Sequence, residues 1–256
     1  MSINGLDFSG MTGRDIWVFD LDNTLYPAEC DLFAQIDTKM TDFVARFLRM
    51  DRAEARALQK QYYAEHGTTL KGMMTMHGMA PEEFLDHVHE IDLSPLPVKA
   101  DLCDAIGALP GRKLVYTNGS RRHAERVTEY MELHTVFDGL FGIEDSTYHP
   151  KPAQAAYDAF CQHHDVDPAR AVFFEDLERN LKPAHAMGFT TVLVGSAKDW
   201  SHEPVEARPA GPGDADHPHV DYLTNDLTGF LQGVLRGLRP EDETAGDLLA
   251  GPSKNS

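Results

Sequence analysis

The stretch Ile16-Trp17-Val18-Phe19, followed at once by Asp20-Leu21-Asp22, constrains this chain more than any other. Four β-favouring apolar residues in a row read as a strand buried on both faces, the pattern of a parallel sheet covered by helices. An open sheet of that kind binds its ligands at the carboxyl ends of its strands. Asp20 and Asp22, two apart on an extended chain, then point the same way at the mouth of such a site. Carboxylates this close repel each other unless a cation or a shared proton relieves them, and Mg²⁺ is a hard, oxygen-seeking candidate. Taken alone, Asp22-Asn23 also reads as an ordinary turn.

Three later segments decide between the two readings. Lys113-Leu114-Val115-Tyr116 is a second apolar strand, ending in Thr117-Asn118-Gly119-Ser120. A Thr hydroxyl and the backbone N–H groups of such a turn can bind phosphate oxygens. In His149-Pro150-Lys151-Pro152 a lysine sits between two prolines that stiffen its backbone, which suits a fixed point charge for an anion. Ala171-Val172-Phe173-Phe174 ends in Glu175-Asp176, two more acids that with Asp20 can complete a hard-cation cage.

The order D-x-D-x-T (Asp20, Asp22, Thr24), T-N-G (Thr117, Asn118, Gly119), Lys151 before Pro, and Glu175-Asp176 resembles the haloacid dehalogenase superfamily of phosphatases, over roughly residues 14 to 231. The resemblance implies an α/β fold, a doubly wound and mainly parallel Rossmann-like core with a small all-helical cap inserted after the first strand. It implies that Asp20 attacks phosphorus and forms an aspartyl-phosphate, and that Asp22 protonates the leaving alkoxide and later takes a proton from water. Mg²⁺ would be held by Asp20, the main-chain carbonyl of Asp22 and Asp176, with Glu175 beside them. Thr117, Asn118 and Lys151 would grip the phosphoryl oxygens, and Thr24 would orient Asp22. Asp22 favours phosphoester hydrolysis over carbon–halogen cleavage, because the dehalogenases lack this second Asp; a sugar-phosphate mutase keeps both and stays open.

Finer strings are similar to the pyrimidine 5′-nucleotidase branch: Phe19 to Pro27, His66-Gly67-Thr68-Thr69-Leu70 in the cap, Leu109 to Lys113, Thr117 to Ser120 with His123-Ala124, and Phe174-Glu175-Asp176 with Asn180-Leu181. That branch implies UMP- and CMP-like substrates, with Thr68 and Thr69 as cap contacts. Leu177 departs from the pattern, standing where relatives commonly carry Ser. A phosphatase or mutase for another small sugar or organic phosphate, and a non-catalytic binding protein on the same fold, are the competing readings.

Composition sets limits. With 256 residues and 42% hydrophobic content the chain can bury a sizeable core, one α/β domain plus an insert. A formal charge of −18 argues against nucleic acid and acidic membranes as partners. A phosphate substrate would then need local relief from the metal, Lys151 and Arg14, Arg121 or Arg122, since salt limits distant fields to about 8 Å. Cys30, Cys103 and Cys161 are far apart and odd in number, which fits a reducing cytoplasm better than a disulfide framework. No signal peptide or membrane span is expected, and the oligomeric state expected is monomer or weak homodimer. The pairs His87/His89 and His163-His164 lack further ligands at metal spacing and read as solvated surface groups.

The expected organisation is a core of 14–27 and 98–237, a cap of 28–97, and flexible termini 1–13 and 238–256. Within the cap, residues 31–50 carry a wide apolar stripe at helical spacing, a second helix opens at Asp51, and a third at Pro81. The Met73, Met74, Met76, Met79 stretch reads as core packing. Beyond it come helices over 119–133, 152–163 and 227–235, strands over 139–143, 190–194 and 220–223, and an irregular loop over 196–218.

Overall fold

A computed structural model describes residues 6–198 and 217–238 of the chain. Of the expected flexible termini, residues 1–5 and 239–256 lie outside the described residues, as does most of the expected 196–218 loop. Ser9–Met11, expected to be flexible, form a short 3₁₀ helix with Met11 buried. At the centre is a six-stranded sheet in the order β3-β2-β1-β4-β5-β6, every neighbouring pair parallel. The strands are β1 (Ile16–Phe19), β2 (Arg112–Tyr116), β3 (Gly139–Phe141), β4 (Ala171–Glu175), β5 (Thr190–Val194) and β6 (Tyr222–Thr224). This is the doubly wound order, whose connections reverse direction between β1 and β4 and open a crevice at their carboxyl ends.

Both faces of the sheet are covered, as the continuous apolar runs require. Trp17 and Phe19 of β1 join the larger apolar cluster on one face, while Ile16 and Val18 join the smaller cluster on the other. The larger side receives α5 (Ala100–Gly107), α6 (Arg121–Tyr130) and α9 (Leu227–Gly237). The other receives α7 (Gln154–His164) and α8 (Glu178–Met187). Trp17 satisfies its indole N–H on the Pro110 carbonyl at 2.7 Å, so its full burial leaves no polar group stranded.

Between β1 and α5 the chain is helical. It forms α1 (Leu32–Leu48), α2 (Arg52–His66), α3 (Thr69–His77) and α4 (Pro81–Val88). Asp51 caps α2 by accepting from the Ala53 N–H, and Pro81 opens α4. The helix α3 was not expected. Gly67 ends α2 at φ +84°, and Thr68 starts α3 by accepting from the Lys71 N–H. Met73 and Met79 are buried core and Met74 packs partly against it, as expected, but Met76 of α3 is exposed and does not join the core. Helix α5 was also missed, and several boundaries moved inward: the helix expected over 119–133 begins only at Arg121, where Ser120 caps it through the His123 N–H.

Candidate active site

The register of the sheet assembles the acids. Phe19 lies opposite Phe174, and the Asp20 N–H donates to the Phe174 carbonyl at 2.9 Å, so Asp20 leaves β1 beside the end of β4. Asp20, Glu175 and Asp176 are all buried and offer carboxylate oxygens within 4.8 Å of one another. Among the described residues, Lys151 is the only cation inside this group. Its Nζ donates to Asp20 Oδ1 at 2.7 Å, to Glu175 Oε2 at 2.7 Å and to the Tyr116 carbonyl at 2.9 Å, with only 1% of the residue exposed. All three ammonium protons therefore have protein acceptors, and Lys151 serves the acids before it serves any ligand.

Three carboxylates against one ammonium leave a buried excess of negative charge. Burial and the neighbouring Glu175 push Asp20 up to about 7, against the pull of Lys151. Burial, Glu175 and Asp20 together hold Asp176 well above the usual carboxylate range. A buried cluster with this imbalance fits a hard divalent cation, which would replace the shared protons.

Asp22 is held differently. Burial is the largest single influence and works to raise it, but the His123 imidazole, the hydrogen bonds from His123 and Tyr26 and the nearby His89 together outweigh burial and keep Asp22 below the ordinary range. His123 Nε2 lies 2.9 Å and the Tyr26 hydroxyl 2.5 Å from Asp22 Oδ1. An ionised carboxylate only accepts, so Nε2 carries the proton there. His123 stacks on His89 with ring centroids 4.3 Å apart and planes 11° apart. His89 Nδ1 meets the Ser120 hydroxyl at 3.0 Å, and burial followed by His123 brings His89 down to about 3, so it is neutral. The expectation of solvated histidines is therefore corrected. His89 is buried at the site, and His164, packed on Phe141 and Phe160, is brought by burial to about 4.

The remaining predicted residues hold the frame. Thr24 donates to Asp20 Oδ2 at 3.2 Å and not to Asp22, because the turn from Leu21 folds its hydroxyl back over the first carboxylate. Asn118 clamps the Lys151 main chain from both sides, donating to its carbonyl at 3.1 Å and accepting its N–H at 2.8 Å. Thr117 is buried and accepts the Gly119 N–H at 2.9 Å. Leu177, the odd residue after the acid pair, donates its main-chain N–H to Glu175 Oε1 at 3.2 Å. That bond does not depend on its side chain.

Above the acids lies a cavity of about 480 Å³ that reaches into α1, α2 and α4. Thr68 and Thr69 line it, but the Thr68 hydroxyl caps α3 and the Thr69 hydroxyl donates to the Gln59 carbonyl at 3.3 Å. The cationic lining is Lys151, Arg56, Lys60, Arg179 and Lys198; Arg14, Arg121 and Arg122, expected to offset an anion, line none of it. Arg121 pairs with Asp145 and Arg122 with Asp86 instead. Deeper in the cavity wall, Gln59 donates to Asp37 at 2.7 Å and accepts from Thr41 at 2.5 Å. Arg179 of α8 donates to the Tyr63 hydroxyl of α2 and lies over its ring, joining the helical insert to the core.

The haloacid dehalogenase-like hydrolase family matches residues 15–188, the span that carries every acid of the site. The chain belongs to that family. Within it, Phosphate metabolism protein 8 of Saccharomyces cerevisiae is 27% identical over 208 residues, 74% of this chain. Enolase-phosphatase E1 of Frankia alni is 37% identical over 86 residues, 32% of this chain. The aligned segments span 64% and 36% of those two proteins' own lengths. Among solved structures, a haloacid dehalogenase-family phosphatase from Thermococcus onnurineus superposes with a TM-score of 0.59 at 19% identity, covering 89% of this chain and all of that one. The L-2-haloacid dehalogenase of Xanthobacter autotrophicus gives 0.56 at 16%, covering 88% of this chain and all of that one. Phosphatase and dehalogenase fit equally well, so the likeness carries the hydrolase fold and leaves the reaction to the site.

Sequence reasoning missed the roles of Tyr26 and His123. Tyr26 lies four residues beyond Asp22 on a tight turn, a local spacing that could have been read. His123 lies 101 positions away, and its signal was its place one helical turn after Ser120 at the end of β2.

Proposed function

We propose that this protein hydrolyses phosphate monoesters through an aspartyl-phosphate, and that pyrimidine nucleoside 5′-monophosphates are its substrate class. The observation that carries the reading is Asp22, two residues after Asp20, gripped by Tyr26 and His123 at the floor of the cavity. Ester hydrolysis needs an acid for the departing alkoxide; displacement of a halide does not.

An Asp20 carboxylate oxygen attacks phosphorus as the P–O bond to the leaving group breaks, and the alkoxide takes its proton from Asp22. Water then attacks the phosphorus of the aspartyl-phosphate, gives its proton to Asp22 and frees the Asp20 carboxylate with inorganic phosphate. Thr24 and Lys151 fix the two oxygens of Asp20, and Asn118 fixes Lys151. Asp20, Asp176 and the Asp22 carbonyl, with Glu175 beside them, would hold Mg²⁺. Bound there, the cation supplies charge neutralisation to the phosphoryl group.

The nucleotide assignment rests on the sequence likeness of the cap phrase and on the cavity's chemistry. Phe33 and Phe84 offer apolar walls, and Asp37, hydrogen-bonded by Gln59, Arg56 and Lys60, gives the lining a polar network of the kind that faces a base edge and sugar. Two relatives, one named for phosphate metabolism and one a phosphatase, agree with ester hydrolysis. The three cysteines, all free, fit a reducing cytoplasm, and among the described residues no helix is long and apolar enough to cross a membrane. The partner expected is the small phosphomonoester alone, with the chain a monomer or weak homodimer.

The test is phosphate release from UMP, CMP, dUMP, AMP, GMP and several sugar phosphates, with Mg²⁺ and with chelator, beside Asp20→Asn. Metal-dependent release selective for the pyrimidine monophosphates, lost in Asp20→Asn, is expected. Release from sugar phosphates instead would retain the chemistry and remove the nucleotide assignment. Silence across the panel would overturn both.

A further inference from the structure

A second group of metal-ligating side chains lies outside the cavity. Glu178 opens α8, two residues after Asp176, while His217 and His219 belong to the segment that leads into β6. One ligand atom from each, a carboxylate oxygen and two imidazole nitrogens, falls within 4.8 Å of the others. Both imidazoles converge on the same oxygen: His217 Nδ1 stands 3.3 Å from Glu178 Oε1, and His219 Nε2 also contacts it. His219 Nε2 is closed off from solvent and makes no hydrogen bond of good geometry. Glu178 Oε1 has lone pairs enough for both nitrogens, yet His219 Nε2 is left buried without a well-formed bond, and a single cation among the three satisfies them all.

The backbone holds the two histidines in place. His217-Pro218-His219-Val220 is a turn closed by the Val220 N–H on the His217 carbonyl at 3.0 Å, with Pro at its second position. The Thr191 hydroxyl of β5 donates to the His219 carbonyl at 2.8 Å, and Asp221 accepts the Thr191 N–H at 2.8 Å. The turn is thus tied to a buried strand, and the rings are 5.5 Å apart at 37°. His217 is half exposed, which leaves an entry path for an ion.

We propose that Glu178, His217 and His219 form a second cation site, distinct from the carboxylate cluster, for Zn²⁺ or a similar late first-row ion. Two imidazoles and one carboxylate are a ligand set for zinc with water in the fourth position. Mg²⁺ prefers oxygen ligands alone and is a poor competitor here. The bound ion clamps the segment entering β6 to the first turn of α8, and so braces the short turn after β4 that carries Asp176.

The experiment uses the full chain, stripped of metal and then held in millimolar Mg²⁺ so that the carboxylate cluster is occupied. Zn²⁺ is titrated by calorimetry, and histidine side-chain ¹⁵N resonances are followed, assigned with His217→Ala and His219→Ala. A single tight equivalent is expected, moving the signals of both His217 and His219 and raising Tm. His217→Ala and Glu178→Gln should each weaken Zn²⁺ by roughly 10–100-fold or more, since even disturbing a metal's supporting groups costs that much. His217 is half exposed and Glu178 partly exposed at the start of α8, and each variant should keep the wild-type Tm in the absence of zinc. No zinc binding, binding that leaves both histidine signals unmoved, or equal affinity in the variants would each overturn the site.

Discussion

His123 reaches across the fold to Asp22 at 2.9 Å and, with Tyr26, makes the second aspartate a stronger acid than its burial alone would allow. If Asp22 must be protonated to expel an alkoxide, kcat/KM falls as pH rises through its value in the free enzyme. Removing His123 removes the largest influence that lowers Asp22, and burial then raises it. In His123→Ala the alkaline fall should therefore move to higher pH, and in His123→Gln, which can still donate, by less. A pH–rate profile on one phosphomonoester checks this; a variant that is slower by a constant factor at every pH would reduce His123 to a packing residue.

The acid cluster predicts how the fold responds to pH and divalent cations. Asp20 stands at about 7 in the folded chain against 3.8 for the ordinary side chain, and Asp176 is raised as well. Between those values the folded state binds more protons than the unfolded one, so this contribution is fully present below about 4 and is lost as pH rises through 7. A cation that replaces those protons binds better as they leave. The Tm gain from millimolar Mg²⁺ should accordingly be larger at pH 8 than at pH 5, and should shrink in Asp176→Asn. Equal gains at both pH values would mean that the ion binds elsewhere.

Most of the sheet was legible because β1, β2, β4 and β5 are short apolar runs buried on both faces, and each ends in residues whose chemistry differs sharply from the run itself. The edge strands β3 and β6 came out shorter or displaced, since three residues against a single neighbour leave little pattern to read. Helix α3 was hidden by Gly67 and Thr68, which read as a loop phrase but serve as the end of one helix and the cap of the next. The carboxylates and Lys151 could be placed from strand ends alone. What sequence could not supply was the direction of individual hydroxyls and rings: Thr24 turns to Asp20, Asn118 to the Lys151 backbone, and His89 onto His123. Those choices depend on contacts between segments far apart in the chain.

Packing within the helical insert gives a sharper stability prediction. A Cβ added at Gly72 of α3 would sit 2.4 Å from Cβ and 2.5 Å from Cγ of Tyr62 on α2. These atoms are the stem of Tyr62, whose hydroxyl is fixed to His77 Nε2 at 2.7 Å, so the ring cannot simply swing aside. Gly72→Ala should destabilise by about 1–3 kcal/mol, the usual cost of overpacking, despite the better helix propensity of Ala. Chemical denaturation measures it directly. Because α2 and α3 wall the cavity, nucleotide turnover should suffer more than turnover of a small artificial ester; unchanged stability would mean that α2 and α3 separate freely.

Lys151 gives the most demanding test of the site's electrostatics. Among the described residues its ammonium is the one cation beside Asp20, Glu175 and Asp176, and all three of its protons are donated inside the protein. Lys151→Met keeps much of the stem but leaves the carboxylates without a counter-charge. Breaking a buried ion pair in this way costs roughly 3–5 kcal/mol when the abandoned charge stays ionised. The acids can escape that cost by taking up protons, so the folded variant will bind more protons than its unfolded chain and its stability will fall as pH rises. The loss relative to the native chain should thus be small near pH 5 and large near pH 8. Mg²⁺ should recover part of the stability at pH 8 without recovering turnover, because the cation restores charge balance while Asp20 loses the donor that fixes its Oδ1. Denaturation at the two pH values, with and without the ion, separates these effects; a pH-independent loss would mean that Lys151 contributes by packing against Tyr116 and Phe173 and not by its charge.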